Sequence, residues 1–224
     1  MHKLIVFDLD GTLIDSIPDL TDAVNYMRST FSLSPLSEEK VTSLVGEGAK
    51  RLVEDALPGF SQEDRQNGLE CFLEYNFNHI IDKTRLYPEV VATLGTLKEE
   101  GYILAVASNK SESHCKEILR LLKTDHYFSA ILGAESAAER KPSPAPIFYL
   151  MQQFGVTSSE TVMVGDSIND IKAGKSAGVL TIGCEFGYGT VAELENADDT
   201  ISSLDKLVSL LRDSGRAAPE QGFP

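Results

Sequence analysis

From Leu86 onward the chain alternates short apolar runs with longer amphipathic stretches, and few folds accept that rhythm. Ile103–Ala107, Ala130–Leu132, Val162–Val164 and Val179–Ile182 are too short for helices and read as buried strands. Pro88–Glu100, Ser111–Leu122, Pro144–Phe154, Ile168–Ala177 and a last stretch with Leu204, Leu207, Val208 and Leu211 have helical spacing. Leu4–Phe7 reads as one more strand. Strand and helix by turns predict an α/β fold, a Rossmann-like doubly wound parallel sheet with helices on both faces. Ligands of such sheets bind beyond the carboxyl ends of the strands.

One segment breaks the rhythm. Ile17–Thr30, Glu38–Val45, Gly48–Leu57 and Gln62–Asp82 read as helices, the last with Leu69, Phe72, Leu73, Phe77, Ile80 and Ile81 on one stripe. No strand pattern shows between about Asp15 and Arg85. The expected organisation is a core of residues 1–14 and 86–213, an inserted all-helical domain of residues 15–85, and a flexible tail of residues 214–224.

The chain carries a formal net charge of −14, a poor match to a phosphate backbone, so no nucleic-acid partner is expected. No run approaches the roughly 18 apolar residues of a membrane span, and no signal-peptide pattern precedes Leu4. A cytoplasmic protein with no membrane partner is the expectation. Cys71, Cys115 and Cys184 are odd in number and far apart, which suits free packing thiols. His2, His79, His114 and His126 make no metal pattern. Monomer and homodimer both remain open.

The Leu4–Phe7 run stops at Asp8 and Asp10, followed by Gly11 and Thr12. Carboxylates beside a buried strand are costly unless paired, and two so close want a cation or a shared proton. Three more clusters follow predicted strands: Ser108-Asn109, Lys141-Pro142 and Gly165-Asp166-Ser167-Ile168-Asn169-Asp170. Singly, each has an ordinary explanation. Asp-Gly marks turns, Asp or Ser caps helices, and a lone lysine is usually solvated. Four at one end of a sheet point instead to a metal or proton-transfer site. In the insert, Gly46-Glu47-Gly48 leads into a helix carrying Arg51, either a surface arginine or a cation reaching for a substrate carboxylate. Gly187-Tyr188-Gly189 reads as a flexible turn.

The set Asp8-x-Asp10-Gly11-Thr12-Leu13, Ser108-Asn109, Lys141-Pro142-x-Pro144 and Gly165-Asp166-Ser167-x-x-Asp170 resembles, in order and over nearly the whole chain, the haloacid dehalogenase superfamily of phosphohydrolases. Asp8–Val24, Lys141–Pro146 and Phe186–Gly189 look most like its phosphoglycolate phosphatase branch. The resemblance implies that the insert is a helical cap. It implies a Mg²⁺-dependent phosphatase of a small phosphorylated metabolite, foremost 2-phosphoglycolate, working through an aspartyl-phosphate. Asp8 would be the nucleophile and Asp10 the general acid, then base. Lys141 and Ser108 would be catalytic groups on the phosphoryl oxygens. Thr12, Ser108, Asn109, Lys141 and the cap's Arg51 would bind substrate. Asp8, the main-chain carbonyl of Asp10, Asp166 and Asp170 would make the metal site, with Asp170 acting through water or by orienting Lys141. The rival readings are a phosphosugar mutase similar to β-phosphoglucomutase, a pyrophosphatase or sugar phosphatase of the same superfamily, a dehalogenase, which Asp10 argues against, and a non-catalytic binding protein on the same fold.

Overall fold

Four consecutive apolar residues form β1 (Leu4–Phe7), and all four are fully buried because helices cover both faces of the sheet around them. The structure, a computed structural model, describes residues 2–214. After β1 come β2 (Ile14–Asp15) and four helices, α1 (Ile17–Thr30), α2 (Glu38–Thr42), α3 (Ala49–Ala56) and α4 (Gln62–Asn78). The chain returns through β3 (Arg85–Leu86), then α5 (Val90–Glu99), β4 (Ile103–Ala107), α6 (Glu112–Leu121), β5 (Ala130–Leu132) and α7 (Ala145–Phe154). It closes with β6 (Thr161–Gly165), α8 (Ile168–Ala177), β7 (Leu180–Cys184), α9 (Val191–Leu194), β8 (Asp199–Ile201) and α10 (Lys206–Ser214).

The main sheet has six parallel strands in the order β5-β4-β1-β6-β7-β8. Side chains on β1 alternate between its faces. Ile5 and Phe7 pack with residues of α5, α6 and α10, among them Leu94, Ile118 and Leu207. Leu4 and Val6 pack with residues of α7 and α8, among them Ile147, Leu150 and Ala173. Burying a side chain such as Phe7 completely is worth about 1.5–3 kcal/mol, so the two faces together fix the register of β1 against β4 and β6.

Helices α1 to α4 have their own apolar cluster, in which Leu20, Val24 and Met27 of α1 meet Val41, Leu52, Val53 and Phe72. The insert leaves and rejoins the core through the antiparallel ribbon of β2 and β3, which pairs Ile14 with Leu86 and Asp15 with Arg85. Beside it, the buried Asp19 carboxylate accepts from the Lys83 N–H at 2.9 and 3.0 Å and from the Thr84 N–H and hydroxyl at 2.8 and 2.7 Å. Both connecting segments are thereby tied together. Among the described residues no helix is long and apolar enough to cross a membrane.

The differences from the sequence reading have local causes. The ribbon is too short to show periodicity. α4 ends at Asn78 rather than Asp82: Ile80 and Ile81 drop into the α/β core, and Phe77 is half exposed. α2 stops at Thr42, short of Val45. α5 starts at Val90, because Glu89 takes a left-handed backbone conformation with φ 65°. The edge strand β8 is Asp-Thr-Ile with only Ile201 buried, so it carries no apolar run, and α9 is a single turn. The expected tail lies outside the described residues beyond Ser214.

Candidate active site

Because the strands are parallel, their carboxyl ends meet at one edge, and three of them deliver acidic or polar groups there. Asp8 follows β1 directly, its N–H continuing the ladder to the Val164 carbonyl at 2.9 Å. Gly11, at φ 84°, then turns the chain directly after Asp10. Ser108 follows β4, and Asp166 follows β6. Lys141 comes from the long connection after β5 and is almost wholly buried, with its Nζ 2.8 Å from Asp8 Oδ1 and 2.5 Å from Asp170 Oδ1. The other Asp170 oxygen accepts from the Ser167 N–H and hydroxyl at 3.0 and 2.7 Å, closing a capping box at the start of α8. Asp170 therefore orients Lys141 while being held itself.

One carboxylate oxygen from each of Asp8, Asp166 and Asp170 lies within 4.8 Å of the others. Burial, then the Asp170 charge, pushes the Asp8 carboxyl up to about 7 against the pull of Lys141. Burial followed by Asp170 and Asp8 pushes Asp166 up to about 8. Burial opposes the charge on Lys141, yet Asp170 and Asp8 hold its amine above the ordinary lysine range. Three buried carboxylates against one ammonium leave negative charge uncompensated. An oxygen-only donor set with that surplus suits a hard metal ion.

Asp10 stands outside this triad. Its carboxylate accepts from Ser16 Oγ at 2.5 Å and pairs with Lys110 Nζ at 3.1 Å. A cavity of about 580 Å³ opens above, lined by Asp8, Asp10, Ser108, Lys141 and Asp166 from the sheet edge and by Gly46, Leu69, Phe72 and Asn76 from the insert. Gly46 is also where insert and core are joined: its carbonyl accepts from Asn109 Nδ2 at 2.9 Å and Asn169 Nδ2 at 3.2 Å.

The remaining candidates fall in different places. Ser108 is buried at the cavity wall, its Oγ accepting the Lys110 N–H at 3.2 Å. The Thr12 hydroxyl is fully buried and donates to Asp166 Oδ1 at 3.0 Å, so it positions a carboxylate rather than facing the cavity. Asn109 lines the cavity, and its amide N–H₂ donates to the Gly46 carbonyl and to the Lys141 carbonyl, the latter also at 2.9 Å. Arg51 does not line the cavity; it is exposed and pairs with Asp55 at 2.9 Å, one helical turn on.

Sequence reasoning missed Ser16, Lys110 and Tyr188. Lys110 follows Ser108-Asn109 directly and belonged with that cluster. Ser16 carried no signal. The turn at Tyr188 is a clamp: its N–H donates to Asp166 Oδ2 at 2.7 Å, and its hydroxyl accepts from the Ser16 N–H at 2.7 Å. A Cβ on Gly187 would lie 2.3 Å from Asp166 Cβ, and one on Gly189 would lie 1.8 Å from the Asp166 carbonyl oxygen, which is why glycine flanks the tyrosine.

A buried carboxylate beside a fixed ammonium, with an acidic triad able to hold a metal ion, sits at the carboxyl edge of a doubly wound parallel sheet. The chain belongs to the haloacid dehalogenase-like hydrolases, whose family model matches residues 5–184. It is 43% identical over 194 residues to a protein of Mannheimia succiniciproducens named phosphoglycolate phosphatase, covering 83% of this chain and 87% of that one. It is 38% identical over 219 residues to one of the same name from Haemophilus influenzae, covering 93% and 98%. A crystal structure from Haemophilus somnus 129pt, described as a "predicted phosphoglycolate phosphatase", superposes with a TM-score of 0.90 at 35% identity, covering 94% and 98%.

Proposed function

We propose that this protein is a Mg²⁺-dependent phosphatase of a small phosphate monoester, foremost 2-phosphoglycolate, and that Asp8 carries the phosphoryl group between two steps. One observation supports the reading above the rest: Lys141 clamped between Asp8 and Asp170, with Asp166 beside them, under a cavity that the helical insert also lines. The relatives named for phosphoglycolate supply the substrate. Asp8, the Asp10 main-chain carbonyl and Asp166 would hold the cation, with Asp170 behind them. When bound, Mg²⁺ supplies the positive charge that lets a dianionic phosphate approach a carboxylate.

Asp8 attacks phosphorus as the bond to the leaving oxygen breaks, and Asp10 gives that oxygen its proton. Water then attacks the phosphoryl group, Asp10 takes the water's proton, and the bond to Asp8 breaks to restore the carboxylate. Ser16 and Lys110 fix where the Asp10 carboxylate points. Lys141, aimed at Asp8 by Asp170, offsets charge gathering on the phosphoryl oxygens, and Ser108 donates to them from the cavity wall. Thr12 and Asn109 act at one remove, through Asp166 and through the Lys141 loop. Residues 15–85 act as a cap over a core of residues 1–14 and 86–213, excluding water while the Asn109 and Asn169 bonds to Gly46 hold it down. The enzyme would work in the cytoplasm, as a monomer or a homodimer.

Purified protein assayed against a panel of phosphorylated metabolites tests this. The expected result is free phosphate from 2-phosphoglycolate, lost on chelation and restored by Mg²⁺. Phosphate released only from sugar phosphates, or an isomerised sugar phosphate as product, would overturn the assignment.

A further inference from the structure

If Arg51 faces solvent, something else must receive the carboxylate of the leaving group. We infer that Lys110 and His114 form that subsite; the inference rests on the phosphoglycolate reading above and names where its specificity lies. Asp10, as the group that protonates the leaving oxygen, marks where that oxygen sits. In phosphoglycolate a single carbon separates it from the carboxylate. The substrate carboxylate therefore comes close to Asp10, which becomes a carboxylate once its proton has gone to the leaving oxygen, and two such charges need a cation between them. Lys110 is already there: its ammonium touches Asp10 Oδ2 at 3.1 Å, its side chain is only 12% exposed, and it lines the cavity.

His114 stands four residues further on, in the first turn of α6 and on the same wall, and is 8% exposed. Its Nδ1 lies 2.6 Å from Ser111 Oγ, while its Nε2 is buried with no partner in the protein. Burial, then the nearby Lys110 charge, pushes the imidazole down to about 4, so the ring is neutral at physiological pH. Assigning the Ser111 hydroxyl proton to the Nδ1 contact leaves the ring's own proton on Nε2, a donor seeking an acceptor. The ring also packs edge-on against Phe77 of the insert, with centroids 5.3 Å apart. A ligand acceptor at this point would satisfy an otherwise orphaned donor and would sit under the cap.

The test compares kcat/KM for 2-phosphoglycolate with that for ethyl phosphate, which has a leaving group of similar length but no carboxylate. Lys110→Met should lose about 10- to 100-fold more on phosphoglycolate than on ethyl phosphate, chiefly through KM, the scale of one charge-assisted hydrogen bond. Lys110→Arg should recover part of the preference. His114→Phe, which keeps a ring against Phe77, should narrow the preference several-fold. Circular dichroism establishes folding; should Lys110→Met not fold, Lys110→Gln carries the same comparison. Equal losses on both esters would make Lys110 a partner of Asp10 only and overturn the subsite. Wild-type protein that turns over other esters but not phosphoglycolate would strike the functional reading itself, a distinguishable result.

Discussion

Asp170→Asn changes one atom in a fully buried side chain and should be felt throughout the site. The carboxylate accepts three hydrogen bonds, one from Lys141 and two from Ser167. An amide has only one oxygen. If it stays with Lys141, the amide N–H₂ meets the Ser167 N–H and the capping box is lost. If it turns to Ser167, the N–H₂ faces the Lys141 ammonium. Either way a buried donor goes unsatisfied, at about 1–3 kcal/mol. Removing one of three like charges relieves Asp8 and Asp166, which offsets part of this. The net loss should be about 1–2 kcal/mol, or about 2–8 °C in Tm for a chain of this size. Either way Lys141 loses its charged partner at position 170 and is aimed less firmly at Asp8, so kcat/KM should fall about 10- to 100-fold, as for other residues that orient a site. Differential scanning fluorimetry and phosphate-release kinetics measure both effects. Wild-type Tm together with wild-type turnover would refute the clamp.

Three further outcomes follow from the same geometry. Because Asp8 and Asp166 titrate near 7 and 8, the metal-free fold binds more protons than the unfolded chain, so their contribution to stability should fall between about pH 4 and 8, and Mg²⁺ should raise Tm more at pH 8 than at pH 5; a shift independent of pH would contradict this. Asp19→Ala strips the acceptor from Lys83 and Thr84 at the insert's root and should cost about 2–4 kcal/mol in urea unfolding; an unchanged midpoint would show that the ribbon alone joins the two parts. Gly189→Ala should push the Tyr188 loop off Asp166 and weaken Mg²⁺ binding, measured by calorimetry, about 10-fold or more, whereas normal affinity would show that the loop can give way.

Much of the fold was legible because the core strands are buried on both faces and read as unbroken apolar runs. β1, β4 and β5 have the bounds that their runs predicted, and so does α1. What stayed hidden depends on tertiary packing: a ribbon of two-residue strands, a polar edge strand, and Ile80 and Ile81, which continue a helical stripe in sequence but pack on the sheet in space. The site divides in the same way. Asp8, Lys141, Asp166 and Asp170 each follow a core strand or its loop, so topology brings them together. Ser16 and Tyr188 meet across 172 positions of sequence, and no local pattern announces that. Arg51 did carry a warning, since Asp55 four residues on offered an ordinary helical ion pair.

The central claim is that Asp8 carries phosphate covalently. Rapid-quench mass spectrometry of the protein during turnover of 2-phosphoglycolate, with Asp10→Asn used to slow release, measures this directly. One phosphoryl group on the peptide containing Asp8, absent in an inactive Asp8→Asn variant, is the expected result. Normal turnover by Asp8→Asn, or steady hydrolysis by the wild type with that peptide never modified, would contradict it.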